Sequence, residues 1–277
     1  MKLLFFPGGP GFNSNPELNL LTERYLAQGI DLIGWHEPSI LRPWGDSFHA
    51  ENAFQNYMDS AERFFLQHYA GEPLTVFGYC YGSHPVRYLL AKHLDKIRGV
   101  IIITPDFCQR ETDRNIFLHV MNGYKKHNDS RGERLQEILA HYPDIFNEDM
   151  EEGFRLAADN PRLFNYYWRD EKLMQSFLQY YSSEYRIDVE GFLAVRRSMY
   201  EVELNNCSTK TVVIYGKKDR IISIPHELNK LPKIFSNLEI IEMSEASHYA
   251  HIEETDKVLV IIKKEFMYEG IEQEAAI

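Results

Sequence analysis

Three side chains of this sequence have, together, the chemistry of covalent acyl transfer: the Cys80 thiol, the His248 imidazole and the Asp219 carboxylate. A thiol attacks a carbonyl efficiently when a base takes its proton, and that base needs an acceptor to fix its tautomer. Cys80 stands in Gly78-Tyr79-Cys80-Tyr81-Gly82, after the apolar run Leu74 to Phe77 and before a helical pattern. Strand, sharp turn and helix with one nucleophile at the apex is a nucleophile elbow, here with cysteine where serine is usual. The flanking glycines suit a turn too crowded for a Cβ. A tetrahedral acyl intermediate also needs two backbone N–H donors. One is expected from Tyr81, next after the nucleophile, and the other from Pro7-Gly8-Gly9-Pro10-Gly11, at Gly9. Asp219 and His248 each follow a strand-like run, in the order nucleophile, acid, base that one sheet edge would collect.

Other residues compete for these roles or could join them. Asp106, after the preceding strand, is the rival acid. Tyr79, His84 and Trp168 are expected to contact substrate; His36 could also line the pocket, and His251 reads as a structural neighbour of the base. Glu201 and Glu203 either receive a substrate ammonium, as an aminopeptidase would require, or sit on a solvated helix face. Cys108 and Cys207 have no partner set and read as structural. A histidine partner and the N-terminus of the helix after Gly82 would both lower the Cys80 thiol pKa.

The elements that must position these groups alternate. Leu3 to Phe6 reads as a buried strand, followed by a helix with Asn15 as N-cap and Gly29 as its stop. Ile30 to Gly34 is the second strand, and Phe54, Tyr57, Met58, Ala61, Phe64 and Phe65 share one face of an amphipathic helix. Val100 to Ile103 is an uninterrupted β-branched run, as in a strand covered on both faces. This rhythm implies a parallel sheet with right-handed crossovers. From about Glu111 to Leu204 only helical periods occur, broken near Gly123, Ser130, Pro143, Pro161 and Ser182. Strands resume at Thr211 to Tyr215 and Leu238 to Ile241, and a closing helix carries Val258, Leu259, Ile262 and Phe266. Glu269 to Ile277 reads as a frayed tail.

Length and charge narrow the classes. A chain of 277 residues with 44% apolar content can hold one large α/β domain with an inserted subdomain. A net charge of −11 argues against nucleic acid or an anionic membrane as partner. Three widely spaced cysteines and no C-x-x-C give neither a disulfide framework nor a metal site. The apolar start is cut off at Pro7, short of a signal peptide, and no stretch is long enough to span a bilayer. A cytoplasmic protein is expected.

On these motifs the chain resembles the α/β-hydrolase superfamily from Leu3 to about Phe266. The loop from Pro7 to Gly11 resembles the H-G-G-P-G loop of proline iminopeptidase-like enzymes, with proline for histidine. Gly216 to Asp219 and Ser247-His248 to Glu253 resemble that family's acid and histidine loops. Where relatives often carry D-x-R-G-x-G-x-S, this chain has Gly34-Trp35-His36-Glu37-Pro38-Ser39, and it begins at the strand before the oxyanion loop. The cysteine resembles dienelactone hydrolases and some thioesterase-like acyltransferases. The resemblance implies an α/β fold with a mostly parallel sheet, helices on both faces and an all-helical cap. Residues 1–108 and 208–277 would form the core and 109–207 the cap. The expected function is hydrolysis of a small-molecule ester or thioester through an acyl-Cys80 intermediate, with no cofactor and no metal. Transfer to an amine or alcohol, a proline iminopeptidase-like activity and non-catalytic binding are the alternatives.

Overall fold

The computed structural model describes residues 1–11, 13–37, 51–180 and 189–267. The expectations placed on Pro38, Ser39, Ser182 and the tail from Glu269 fall outside them. Six parallel strands form one sheet: β1 (Lys2–Phe6), β2 (Asp31–Gly34), β3 (Leu74–Tyr79), β4 (Ile97–Ile103), β5 (Lys210–Gly216) and β6 (Leu238–Met243). Their spatial order is β2-β1-β3-β4-β5-β6. The chain first moves outward from β1 to β2, then returns across β1 to β3. The loops leaving β1 and β3 therefore face each other where the winding reverses, the usual place for a ligand crevice in such sheets.

Alternation along the strands feeds two cores. Leu4, Phe6, Val76, Val100, Ile102 and Val213 face one side, where they meet α2 (Ala53–His68), α3 (Ser83–His93) and α9 (Ile224–Ile234). Leu3, Phe5, Phe77, Ile101, Ile103 and Val212 face the other, against α1 (Asn15–Leu26) and α11 (Thr255–Phe266). Each fully buried Leu, Ile or Phe contributes about 1.5–3 kcal/mol of hydrophobic stabilisation. Both faces are covered, which is why the strand sequences are nearly continuous in apolar residues.

Between β4 and β5 run α4 (Gln109–Lys126), α5 (Arg131–Ala140), α6 (Glu148–Ala158), α7 (Glu171–Leu178) and α8 (Val189–Arg197). No strand lies among the described residues of this insertion. Phe117, Val120, Leu135, Ile138, Phe154 and Leu193 give it an apolar cluster of its own. The short α10 (Ala250–Glu253) precedes α11. At the start of α1 the cap differs from expectation: the helix begins at Asn15, whose N–H is taken by the Asn13 side chain at 2.8 Å. Among the described residues no helix is long and apolar enough to cross a membrane.

Candidate active site

The β3 strand ends at Tyr79, and Cys80 follows with φ +50° in a single 3₁₀ turn before α3. A non-glycine residue in this left-handed region costs about 1 kcal/mol or more, so the surroundings must enforce it. They do so through glycine. A Cβ on Gly82 would collide with the carbonyl oxygens of Phe6 and Pro7, and one on Gly78 would stand 2.8 Å from the Gly82 carbonyl oxygen. The elbow is thus pressed directly against the end of β1, which brings Cys80 beside the Pro7 to Gly11 loop.

Asp219 and His248 meet at the same edge of the sheet. His248 Nδ1 lies 2.9 Å from Asp219 Oδ2, with both side chains buried. The other carboxylate oxygen, Asp219 Oδ1, accepts the backbone N–H groups of Ile221 at 2.7 Å and Ile222 at 3.2 Å. That fixes the carboxylate plane before the histidine is considered. His248 is held in turn by its own backbone, whose carbonyl accepts the Thr104 hydroxyl at 3.1 Å. Asp106 makes no bond to His248; it lines the cavity as a buried carboxyl whose Oδ1 has no protein partner. Of the two candidate acids, Asp219 is the one paired with the imidazole.

Cys80, His248, Gly8, Gly9 and Tyr81 all line one cavity of about 550 Å³. Part of its wall comes from the insertion, including Phe154, Phe164, Tyr167, Phe192 and Arg196. Rings enclose the imidazole: Tyr79 lies 5.3 Å and Tyr167 5.0 Å from it, centroid to centroid. The Pro7 to Gly11 loop is fixed from below by Glu37, whose Oε2 accepts the Gly11 N–H at 2.6 Å and whose Oε1 accepts the Tyr57 hydroxyl at 2.5 Å. Burial pushes the Glu37 carboxyl up to about 8, against the pull of these two donors.

The thiol departs from expectation. Burial, and then the Asp106 carboxylate, push the Cys80 pKa well above its ordinary value, although the Tyr81 N–H draws it down. Burial and the carboxyls around it therefore favour the protonated thiol over the thiolate. The helix N-terminus does not outweigh the cost of burying an anion among carboxyls.

The substrate contacts expected from sequence separate. Tyr79 lines the cavity. His84 does not: its Nε2 lies 2.7 Å from the Asp106 carbonyl, and it faces a neighbouring recess with Arg87 and Lys230. Trp168 stands one layer behind the wall, stacked on Tyr249 at 4.0 Å. Helical periodicity gives which face of a helix is apolar; it does not show that His84 of α3 turns to the Asp106 carbonyl or that Trp168 packs behind Tyr249. His251 is buried under Tyr79 and Phe77, and burial lowers it to about 3. Glu201 pairs with Arg87 and Lys230 at the recess, away from the cavity. Glu17 and Tyr249 line the cavity and were not singled out by sequence. An acidic residue in a helix's first turn looks like ordinary dipole compensation, so Glu17 carries no distinguishing signal. Among the described residues no group of three or more His, Cys, Asp and Glu side chains gathers as metal ligands do.

A family model described as the alpha/beta hydrolase fold matches residues 3–255. No curated protein matches the chain. Among solved structures, an esterase from Exiguobacterium antarcticum is similar with a TM-score of 0.60 at 13% identity, over 95% of this chain and 90% of that one. An epoxide hydrolase from Bacillus megaterium gives 0.58 at 12% identity, over 95% and 92%. A lipase-esterase related protein from Clostridium acetobutylicum gives 0.58 at 16% identity, over 96% and 94%. At these identities the likeness is one of fold.

Proposed function

Because the chain belongs to the alpha/beta hydrolase family, we propose that it is an acyl hydrolase of esters or thioesters working through a covalent acyl-Cys80 intermediate. The observation that supports this most is the buried Asp219–His248 pair on the cavity that also holds the left-handed Cys80.

Since the protonated thiol is favoured, proton removal accompanies attack. His248 Nε2, opposite the nitrogen bonded to Asp219, takes the Cys80 proton as Sγ bonds to the substrate carbonyl carbon. The carbonyl oxygen becomes an oxyanion held by the Gly9 and Tyr81 N–H groups. Collapse breaks the bond to the leaving alkoxide or thiolate, which receives the proton from His248. Water then attacks the acyl-thioester, giving its proton to His248, and the second collapse releases the acid and returns the proton to Cys80. Asp219 stabilises the imidazolium at both stages and holds the tautomer. A thiolate leaves a tetrahedral intermediate more readily than an amine does. Peptide cleavage is therefore disfavoured, and esters and thioesters are the fitting substrates. The insertion acts as a cap that closes the cavity over Cys80.

Intact-mass measurement after exposure to acyl thioesters and p-nitrophenyl esters tests the reading. An acyl adduct is expected on Cys80, formed more slowly in His248→Ala and absent in Cys80→Ala. Undiminished turnover in Cys80→Ala would refute it. Product analysis with added amines or alcohols separates hydrolysis from transfer.

A further inference from the structure

Glu17 is a buried carboxyl on the wall of the Cys80 cavity, 2% exposed, whose Oε2 has no hydrogen-bond partner in the protein. A buried acceptor left unsatisfied costs about 1–3 kcal/mol, so a side chain of this kind at a site wall points to a ligand donor. Among the described residues no lysine, arginine or histidine forms an ion pair with it. The side chains that feel its charge are the hydroxyls of Tyr79 and Tyr249. Burial accordingly pushes its carboxyl up to about 8.

The rest of the wall sharpens the chemistry. Its other acids are Asp106, Asp113 and Asp159, and its one cation among the described residues is Arg196, which is bonded to Asp113. Glu17 follows β1 and Asp106 follows β4, and these strands lie on opposite sides of β3. The two carboxyls, each with one oxygen lacking a partner, therefore line the cavity from opposite sides of the strand that carries Cys80. Only Glu17 shares its flank with the Gly8 to Pro10 wall of the cavity.

We infer that Glu17 is a specificity-determining residue that receives a protonated amine of the substrate. The inference rests on the proposed reaction at Cys80 and names its substrate class: an amine-bearing ester or thioester. An ammonium beside Glu17 supplies the missing donor, and its charge favours the ionised carboxyl where burial alone favours the protonated one. A neutral alkyl chain would leave the carboxyl unsatisfied.

Linear alkylammonium ions and the matching alkanols, four to eight carbons long, test this by ligand-observed NMR with Kd values from titration. In the wild-type protein the best ammonium should bind at least tenfold more tightly than its alkanol. That preference should vanish in Glu17→Gln and survive in Asp106→Asn. Equal binding of ammonium and alkanol to the wild type would overturn the inference, and this arm needs no variant to fold. A preference kept in Glu17→Gln, or lost in Asp106→Asn alone, would overturn it as well. Acylation of wild-type Cys80 by a neutral p-nitrophenyl ester, read by intact mass, reports on the reaction separately. No adduct with a clear ammonium preference would sink the reaction while leaving the amine site standing.

Discussion

Glu37 and Gly11, 26 positions apart in sequence, are joined by a buried 2.6 Å hydrogen bond from the Gly11 N–H to Glu37 Oε2. The loop expected to supply one oxyanion donor is thus held by a carboxyl that also anchors Tyr57 of α2. Glu37→Ala removes that anchor without touching Cys80, His248 or Asp219. A displaced oxyanion donor lowers the rate of the chemical step far more than substrate binding. The variant is expected to lose about tenfold or more in kcat with little change in KM, and Glu37→Gln, which keeps an acceptor oxygen, should recover most of it. Equal losses in kcat and 1/KM for both variants would contradict this role.

Asp219→Asn is expected to cut turnover by orders of magnitude, because the amide can turn its NH2 toward His248 Nδ1 and favour the wrong tautomer. Asp106→Asn should do far less. Steady-state kinetics on one ester substrate decides between them, and the reverse ranking would reassign the acid.

The Cys80 thiol should resist iodoacetamide at pH 6. Its alkylation rate should climb through the alkaline range, since burial and Asp106 hold its pKa well above the ordinary thiol value. Asp106→Asn removes the largest charge contribution and should speed alkylation at pH 8 several-fold. Peptide mapping against time reads the rate at Cys80 apart from Cys108, whose pKa is itself pushed up to about 12. Rapid Cys80 labelling at pH 6 would overturn the picture of a neutral thiol.

Three buried glutamates make the fold sensitive to alkali. Burial pushes Glu17 and Glu37 up to about 8 and Glu227 up to about 7, above the value of 4.5 expected in an unfolded chain. In that interval the folded state holds protons that the unfolded state has released, so stability falls as pH rises from about 4.5 to 8. The contribution is fully present below the lower value and lost by the upper one. Each group should cost on the order of 1 kcal/mol or more across the window, about 2–4 °C in Tm for a chain of this size. Calorimetry from pH 5 to 8 should show the decline, and Glu17→Gln should flatten it by one such step.

The parallel α/β architecture was legible in the sequence because both periodicities are strong. Runs such as Val100 to Ile103 announce strands covered on both sides, and the elbow glycines announce a turn without space for a Cβ. The encounter of Asp219 with His248 followed from chain order, since two loops at one sheet edge must approach each other. Two things were hidden. Which way a side chain of α3 or of the insertion turns depends on tertiary packing, so His84 and Trp168 were assigned to a wall they do not reach. The sign of the Cys80 shift was hidden too: proximity to a helix N-terminus is visible in sequence, whereas the carboxyls gathered around the sulfur from distant segments are not.

Glu253 grips two segments at once. Its Oε1 accepts the Arg169 N–H at 2.8 Å, and its Oε2 accepts the Ser247 N–H at 2.6 Å, one residue before His248. The Ser247 hydroxyl also lies 2.9 Å from the Tyr167 carbonyl. The stretch 167–169 of the insertion and the loop carrying the imidazole are thereby yoked, so neither can swing without dragging the other. Any gating by the insertion must spare this corner or else disarm the base in the same movement. Native-state hydrogen exchange reads the yoke directly: the Arg169 and Ser247 amides should open at one common rate, and that rate should rise for both in Glu253→Ala.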